Sequence, residues 1–200
     1  DCIDYYDRAE IYYAWYKRTG NAKYLDRANQ VAVNYRDNYV IANNYGVAHH
    51  WAMCDGLALH YLMTGDAKSR DALGGVGLNF AWQVTNDPSQ YFTVPTDFRI
   101  NAYAIKCMLD AHLAKVPTNV ANSIGWPPVT SWADVLRMAL NKILALRDAD
   151  GQWRGAKCSD GTRTSHPFTN GLLYDALMRY YTLFEADARI LLRHLPDDPR

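Results

Sequence analysis

The feature that most constrains this chain is a repeated punctuation mark. Residues 13–28, YAWYKRTGNAKYLDRA, and residues 58–73, ALHYLMTGDAKSRDAL, superpose on the triplets Thr19-Gly20-Asn21 and Thr64-Gly65-Asp66, 45 residues apart. Glycine takes the left-handed conformation that closes a helix, and Asn or Asp accepts an early N–H of the next one. Each copy therefore reads as a tight helical hairpin. A degenerate third copy is MRYYTLFEADARILL, residues 178–192.

Flanking segments carry the 3.6-residue period that such hairpins need. One apolar stripe is Tyr24, Ala28, Val31, Ala32, Tyr35 and Tyr39. A second is Trp132, Val135, Leu136, Ala139, Ile143 and Leu146, opened by Ser131 with Asp134 three residues on, a capping-box-like start. A third is Phe168, Leu172, Leu173, Ala176, Leu177, Tyr180, Tyr181 and Phe184. No convincing period-2 strand is present. The weakest helix is 73–82, because Gly74, Gly75 and Gly77 each cost about 1 kcal/mol relative to Ala. Close approach of a neighbouring helix is a reason to keep them.

The expected helices span 4–18, 22–38, 51–63, 67–82, 97–115, 131–147, 168–184 and 187–194. The fold class is all-α, built of antiparallel helical hairpins in a single domain over residues 1–200. With 49% hydrophobic residues in 200, a real core is available. The start without Met and the Pro-Asp-Asp-Pro-Arg end suggest a mature or excised piece, with further hairpins or domains elsewhere in a parent protein.

Connector lengths then divide the array into two ends. They are short at 19–21, 64–66 and 185–186, medium at 116–130, and long at 39–50, 83–96 and 148–167. Successive connectors of antiparallel helices fall on opposite ends, so every long loop is expected on one face. Helices starting near Asp4, Trp51, Asp97 and Phe168 aim unpaired N–H groups and positive dipole ends at that face. Such a surface favours anionic or hydroxyl-rich ligands. It also gathers Arg8 with the residues discussed below.

Lys and Arg number 21, as do Asp and Glu, so the whole chain has no electrostatic reason to seek nucleic acid or an anionic membrane. No apolar run approaches the roughly 18 residues needed to span a bilayer. Cys2, Cys54, Cys107 and Cys158 lie far apart, with no Cys-x-x-Cys pair and no His at zinc spacing. No metal site is expected from them; buried free thiols are favoured over a disulfide. No phosphate loop, dinucleotide fingerprint, nucleophile elbow or metalloprotease motif occurs, and no cofactor is implied.

The segments YYAWYKRTGNAKYLDRA, HHWAMCDGLALHYLMTGDAK, DGQWRG and PFTNGLLYDALMRYY resemble the helical-hairpin repeats of the (α/α) toroids of glycoside hydrolases, polysaccharide lyases and sugar epimerases. In that superfamily inner and outer helices alternate around a ring, and long loops at one end build a carbohydrate cleft. The stretch from His49 to Gly65 is most similar in texture to toroidal polysaccharide lyases, where a His or Tyr commonly moves the proton. About four hairpins are present where six or seven are usual, which implies part of a toroid or an open arc. The resemblance implies an oligo- or polysaccharide partner and a secreted or periplasmic location.

Three functions follow as expectations. The first is a lyase on a uronic-acid-containing glycan, with His49 or His50 and Tyr5 as base and acid, and Arg99, Arg163 and Asn170 holding the uronate carboxylate. The second is a glycoside hydrolase, which needs two carboxylates; Asp4, Asp7, Asp55 and Asp160 are the pool. The third is a non-catalytic glycan-binding or assembly module. Trp51 and Trp153 are candidate sugar-stacking platforms, and Asn101 and His166 complete the polar lining. Each has a plainer reading: His49 and His50 as loop-bonded imidazoles, Asp4 and Asp7 as partners of a helix dipole, Asp55 as a capping group, the tryptophans as core.

Overall fold

The computed structural model describes residues 6–119, 128–155 and 162–184. Seven α-helices follow in order: α1 (Arg8–Thr19), α2 (Ala22–Tyr35), α3 (Cys54–Thr64), α4 (Ala67–Asn86), α5 (Phe98–Leu113), α6 (Trp132–Ala145) and α7 (Pro167–Leu183). The described residues contain no strand, and none of their helices is long and apolar enough to cross a membrane. The helix expected at 187–194 lies outside the described residues.

The punctuation works as its chemistry dictates. Gly20 and Gly65 end α1 and α3 at φ 67° and 73°, and each donates its N–H to a carbonyl of the last helical turn. Asn21 and Asp66 then cap α2 and α4 by accepting the N–H of Lys23 and Lys68. Ser131 caps α6 by accepting the Asp134 N–H at 3.0 Å.

Boundaries differ from expectation in several places: α1 starts at Arg8 rather than at 4, α4 runs past 82 to Asn86, and two further differences have a visible cause. The helix expected from residue 51 starts at Cys54, and His49–Trp51 form a separate 3₁₀ turn. Tyr35 causes the break: its hydroxyl donates to the Trp51 carbonyl at 2.5 Å and accepts the Met53 N–H at 3.0 Å. The second helix is α-helical only to Tyr35 and continues as a π-helical turn, Arg36–Ile41. That turn buries Arg36, which pairs with Asp37 and Asp66 and donates to Ser69 at 3.0 Å.

The glycine-rich stretch is helical throughout, inside α4. A Cβ on Gly77 would lie 2.8 Å from the Trp132 ring, and one on Gly75 would lie 2.5 Å from the Tyr45 ring. Close packing is thus the reason for both glycines.

Helix direction can be read from paired contacts. Along α5 and α7, Lys106 meets Asp175 and Asp110 meets Arg179, so the two run parallel. Along α4 and α6, Gly77 meets Trp132 and the Val84 carbonyl accepts from Lys142, so these run parallel too. The odd-numbered helices pack in succession, α1 on α3, α3 on α5 and α5 on α7. Thirteen of the sixteen residues of α5 are buried, which makes it the centre of the core.

The long connectors touch one another in series. The ring of His49 lies 4.7 Å from that of Tyr91, joining 39–50 to 83–96. A Cβ on Gly155 would lie 2.9 Å from the Thr96 carbonyl, joining 83–96 to 148–167. The expectation of one long-loop face is met by these contacts.

Cys54 and Cys107 are not free thiols. They form a disulfide, with Cα atoms 5.1 Å apart, which corrects the reading from sequence. Pairing required α3 and α5 to be neighbours, and residue spacing carries no such information. The bond also fixes depth: Cys54 opens α3 but meets the tenth residue of α5, so α3 begins about 14 Å below the start of α5.

Candidate active site: a carboxylate network at the start of α3

Three consecutive residues in the first turn of α3 are bonded to three different helices. Cys54 is joined covalently to α5. Asp55 pairs with Lys106 of α5 at 3.0 Å and with Arg179 of α7. Gly56 donates its N–H to Asp7 Oδ2 at 2.7 Å. Asp7 also caps its own helix, its Oδ1 accepting the Glu10 N–H at 3.0 Å. One carboxylate therefore serves two helix starts, and Met53 supplies no side-chain cap of its own.

Further groups surround this turn. Arg179 reaches Asp175 at 3.3 Å, Glu10 at 3.8 Å and Asp110 at 3.9 Å, and Lys106 reaches Asp175 at 3.4 Å. Five carboxyl groups thus face two cations. Burial, seconded by the charge of Asp55, pushes Asp7 up to about 7 against the two N–H groups that favour its ionised form. The same two causes raise Glu10 and lift Asp110 well above the carboxylate range. Burial works against the charge of Lys106, but the Asp55 and Asp175 carboxylates together hold the ammonium above its usual value. Asp110 Oδ2 is buried with no hydrogen-bond partner.

Asp7 also lines a cleft of about 580 Å³, open mouth included, between the start of α1, the end of α2 and the start of α3. Tyr6, Arg8, Asn34, Asn38, Tyr35 and Tyr39 border it, with Val31, Met53 and Leu57 as apolar wall. Asp7, Glu10 and Asp55 each bring an oxygen within 4.8 Å of the others, the one grouping among the described residues with the shape of a metal site. Asp55 already has Lys106 and Arg179 on its two oxygens, so positive charge is supplied there by the chain itself.

Of the residues singled out from sequence, Asp7 and Asp55 are brought together here. Asp4, Tyr5 and Asp160 lie outside the described residues. His49 is buried between Phe80 and Tyr91, at 5.0 and 4.7 Å between ring centroids, and burial drives it down to about 4. His50 and Trp51 are half-buried in the same 3₁₀ turn.

The remaining candidates hold loops. Asn101 donates to the Tyr91 carbonyl at 2.7 Å and Asn170 to the Trp153 carbonyl at 2.9 Å. Asn79, absent from the expected site, does the same for Tyr45 at 3.1 Å. Trp153 is buried, its indole N–H donating to the Ile143 carbonyl at 2.9 Å, so its faces are turned into the protein. Arg163 wraps the 148–167 loop through Asp148 and the Arg154 and Gly155 carbonyls. Arg99 pairs with Asp97, the cap of its own helix, at 2.7 Å. His166 is exposed, 3.0 Å from the Thr164 hydroxyl.

Glu10, Lys106, Asp110, Asp175 and Arg179 were missed from sequence. A signal existed: Lys106 and Asp110 stand four apart inside the otherwise apolar run of α5, as Asp175 and Arg179 do in α7. Charges at that spacing in a buried helix need partners on a neighbour.

Comparison of the chain with family models, curated proteins and solved structures returns no match.

Proposed function

We propose that this domain is a carbohydrate-active hydrolase whose acid and nucleophile are Asp7 and Asp55, carried by an arc of (α/α) toroid type. The neighbour order α1, α3, α5, α7, with α4 against α6 behind, supports the arc. The observation that carries the function is the contrast between two adjacent carboxyl groups. Asp7 is raised to about 7 at the edge of a tyrosine-bordered cleft, while Asp55 has Lys106 and Arg179 paired on its two oxygens. A carboxyl group that holds its proton beside a second one paired with cations is an arrangement that suits glycoside hydrolysis.

In this reading Asp7 donates its proton to the leaving glycosidic oxygen, and Asp55 attacks the anomeric carbon. Water, deprotonated by Asp7, then releases the sugar. Their oxygens lie within 4.8 Å, which favours the retaining geometry of about 5–5.5 Å over the inverting one of about 6.5–9.5 Å. The lyase reading has less support, because His49 is enclosed by aromatic rings and Arg99 and Arg163 are engaged by the protein itself. A disulfide in the core is in keeping with a secreted or periplasmic location.

The test is product formation from a panel of neutral and uronate oligosaccharides. Reducing-sugar release that disappears in both Asp7→Asn and Asp55→Asn supports the hydrolase. Ultraviolet absorbance from an unsaturated uronate would replace it with the lyase, and glycan binding without turnover with a non-catalytic module.

A further inference from the structure

We propose that the Cys54–Cys107 disulfide is a positioning device for the Asp55 carboxylate, holding it against Lys106 and Asp7, beyond any general bracing of the fold. Its catalytic consequence rests on the hydrolase reading above; its geometric content does not.

The argument begins with adjacency. Cys54 precedes Asp55 and Cys107 follows Lys106, so the covalent bond joins the immediate neighbours of an ion pair closed at 3.0 Å. Consecutive Cα atoms are about 3.8 Å apart, so a bond at one residue leaves the next little freedom. The location matters as much. First turns of helices fray because their leading N–H groups lack intrahelical acceptors, and α3 has no side-chain cap from Met53. Asp55 sits in that turn. The two bonds that restrain its backbone are the disulfide on one side and the Gly56 to Asp7 hydrogen bond on the other.

Asp55 is also the group on which the network depends. After burial, it is the next cause that raises Asp7 and Glu10 of α1 and Asp110 of α5, and it is the shared partner of Lys106 and Arg179. Asp175 of α7 completes the charged groups facing it, and the hydroxyls of Tyr13 and Tyr35 feel the charge of Asp7. Displacing Asp55 therefore changes the proton affinity of residues it does not touch covalently. A disulfide that only braces the fold lacks this effect: it stabilises chiefly by restricting the unfolded chain.

The experiment separates the two roles. The full chain is prepared as Cys54→Ala/Cys107→Ala and as Asp55→Asn with the disulfide intact. The titration midpoint of the Asp7 carboxyl carbon is followed by NMR, beside the thermal midpoint. Removal of the Asp55 charge should lower the Asp7 midpoint. The double alanine variant should lower it in the same direction and by less. An unchanged Asp7 midpoint with a reduced melting temperature would overturn the proposal. Should the double variant melt too early to titrate, wild-type protein reduced with a phosphine in concentrated sucrose, which favours the folded state, is titrated instead under the same criterion. Where a glycan substrate has been found, the alkaline limb of the rate profile, set by loss of the Asp7 proton, should move with the Asp7 midpoint. Where none has been found, the hydrolase reading fails alone and the NMR result still decides.

Discussion

The Gly56 amide and the Asp7 carboxylate meet at 2.7 Å across 49 residues of sequence, and this bond lets one side chain start two helices. It is possible because position 56 has no side chain. A Cβ there would clash with the Asp7 carboxylate and lie 2.7 Å from the Ala9 Cβ. Gly56→Ala should therefore force α1 from α3 and cost about 1–3 kcal/mol, read as a lower denaturation midpoint. Ala at Gly171, where an added Cβ meets nothing, is the control.

Asp7 makes stability depend on pH in a direction unusual for a carboxylate. Its folded value of about 7 stands above the ordinary aspartate value of 3.8, so the folded state holds the proton more tightly. The associated stability is complete below about pH 4 and is lost as pH rises towards 7. Asp7→Asn should flatten that decline, measured as the thermal midpoint at intervals from pH 4 to 8. A wild-type curve with no Asp7-dependent slope in this window would refute the assignment.

His49 acts with the opposite sign. Its folded value of about 4 lies below 6.5, so the unfolded chain binds the proton first. Stability is full above about pH 6.5 and is lost as pH falls towards 4. His49→Leu keeps an apolar group between Phe80 and Tyr91, and the drop in melting temperature between pH 7.5 and 5 should shrink. The two substitutions together separate the opposing contributions.

Lys106 lies almost wholly out of water, with 11% of its side chain exposed. Lys106→Met preserves the stem and removes the charge that faces Asp55 and Asp175, which should cost about 3 kcal/mol. Asp55→Asn in the same chain should restore part of that loss. Strict additivity of the two in chemical denaturation would mean that the pair is not coupled.

How much of this could be read from the residues alone follows from the range of each interaction. Gly20, Gly65, Asn21, Asp66 and Ser131 act within a few residues, and the helix ends they set were legible. The common face of the long loops followed from counting connectors. The 3₁₀ turn at His49–Trp51 was not legible, because the Tyr35 hydroxyl that imposes it comes from another helix. The same holds for the site. Asp7 and Asp55 stood out as acids at helix starts, but only the packing of α1 on α3 makes them neighbours, and only a buried α5 gives Lys106 and Asp110 a reason to exist. Asn101 and Asn170 look like ligand groups in sequence because polarity at a helix start has the same appearance whether it faces a sugar or a loop carbonyl.

The packing of α1, α3, α5 and α7 in succession makes the hairpins unequal partners despite their similar turns. α1 brings two acids to the network, α3 one acid, and α5 and α7 an acid and a base each. The pairing of acids with cations is therefore a property of the set. Loss of the α5 or α7 hairpin by recombination would remove one of the two cations on Asp55, and loss of the α3 hairpin would remove the carboxylate they share. The repeat can be copied as a unit of folding, but as a unit of chemistry each copy is tied to its place in the order.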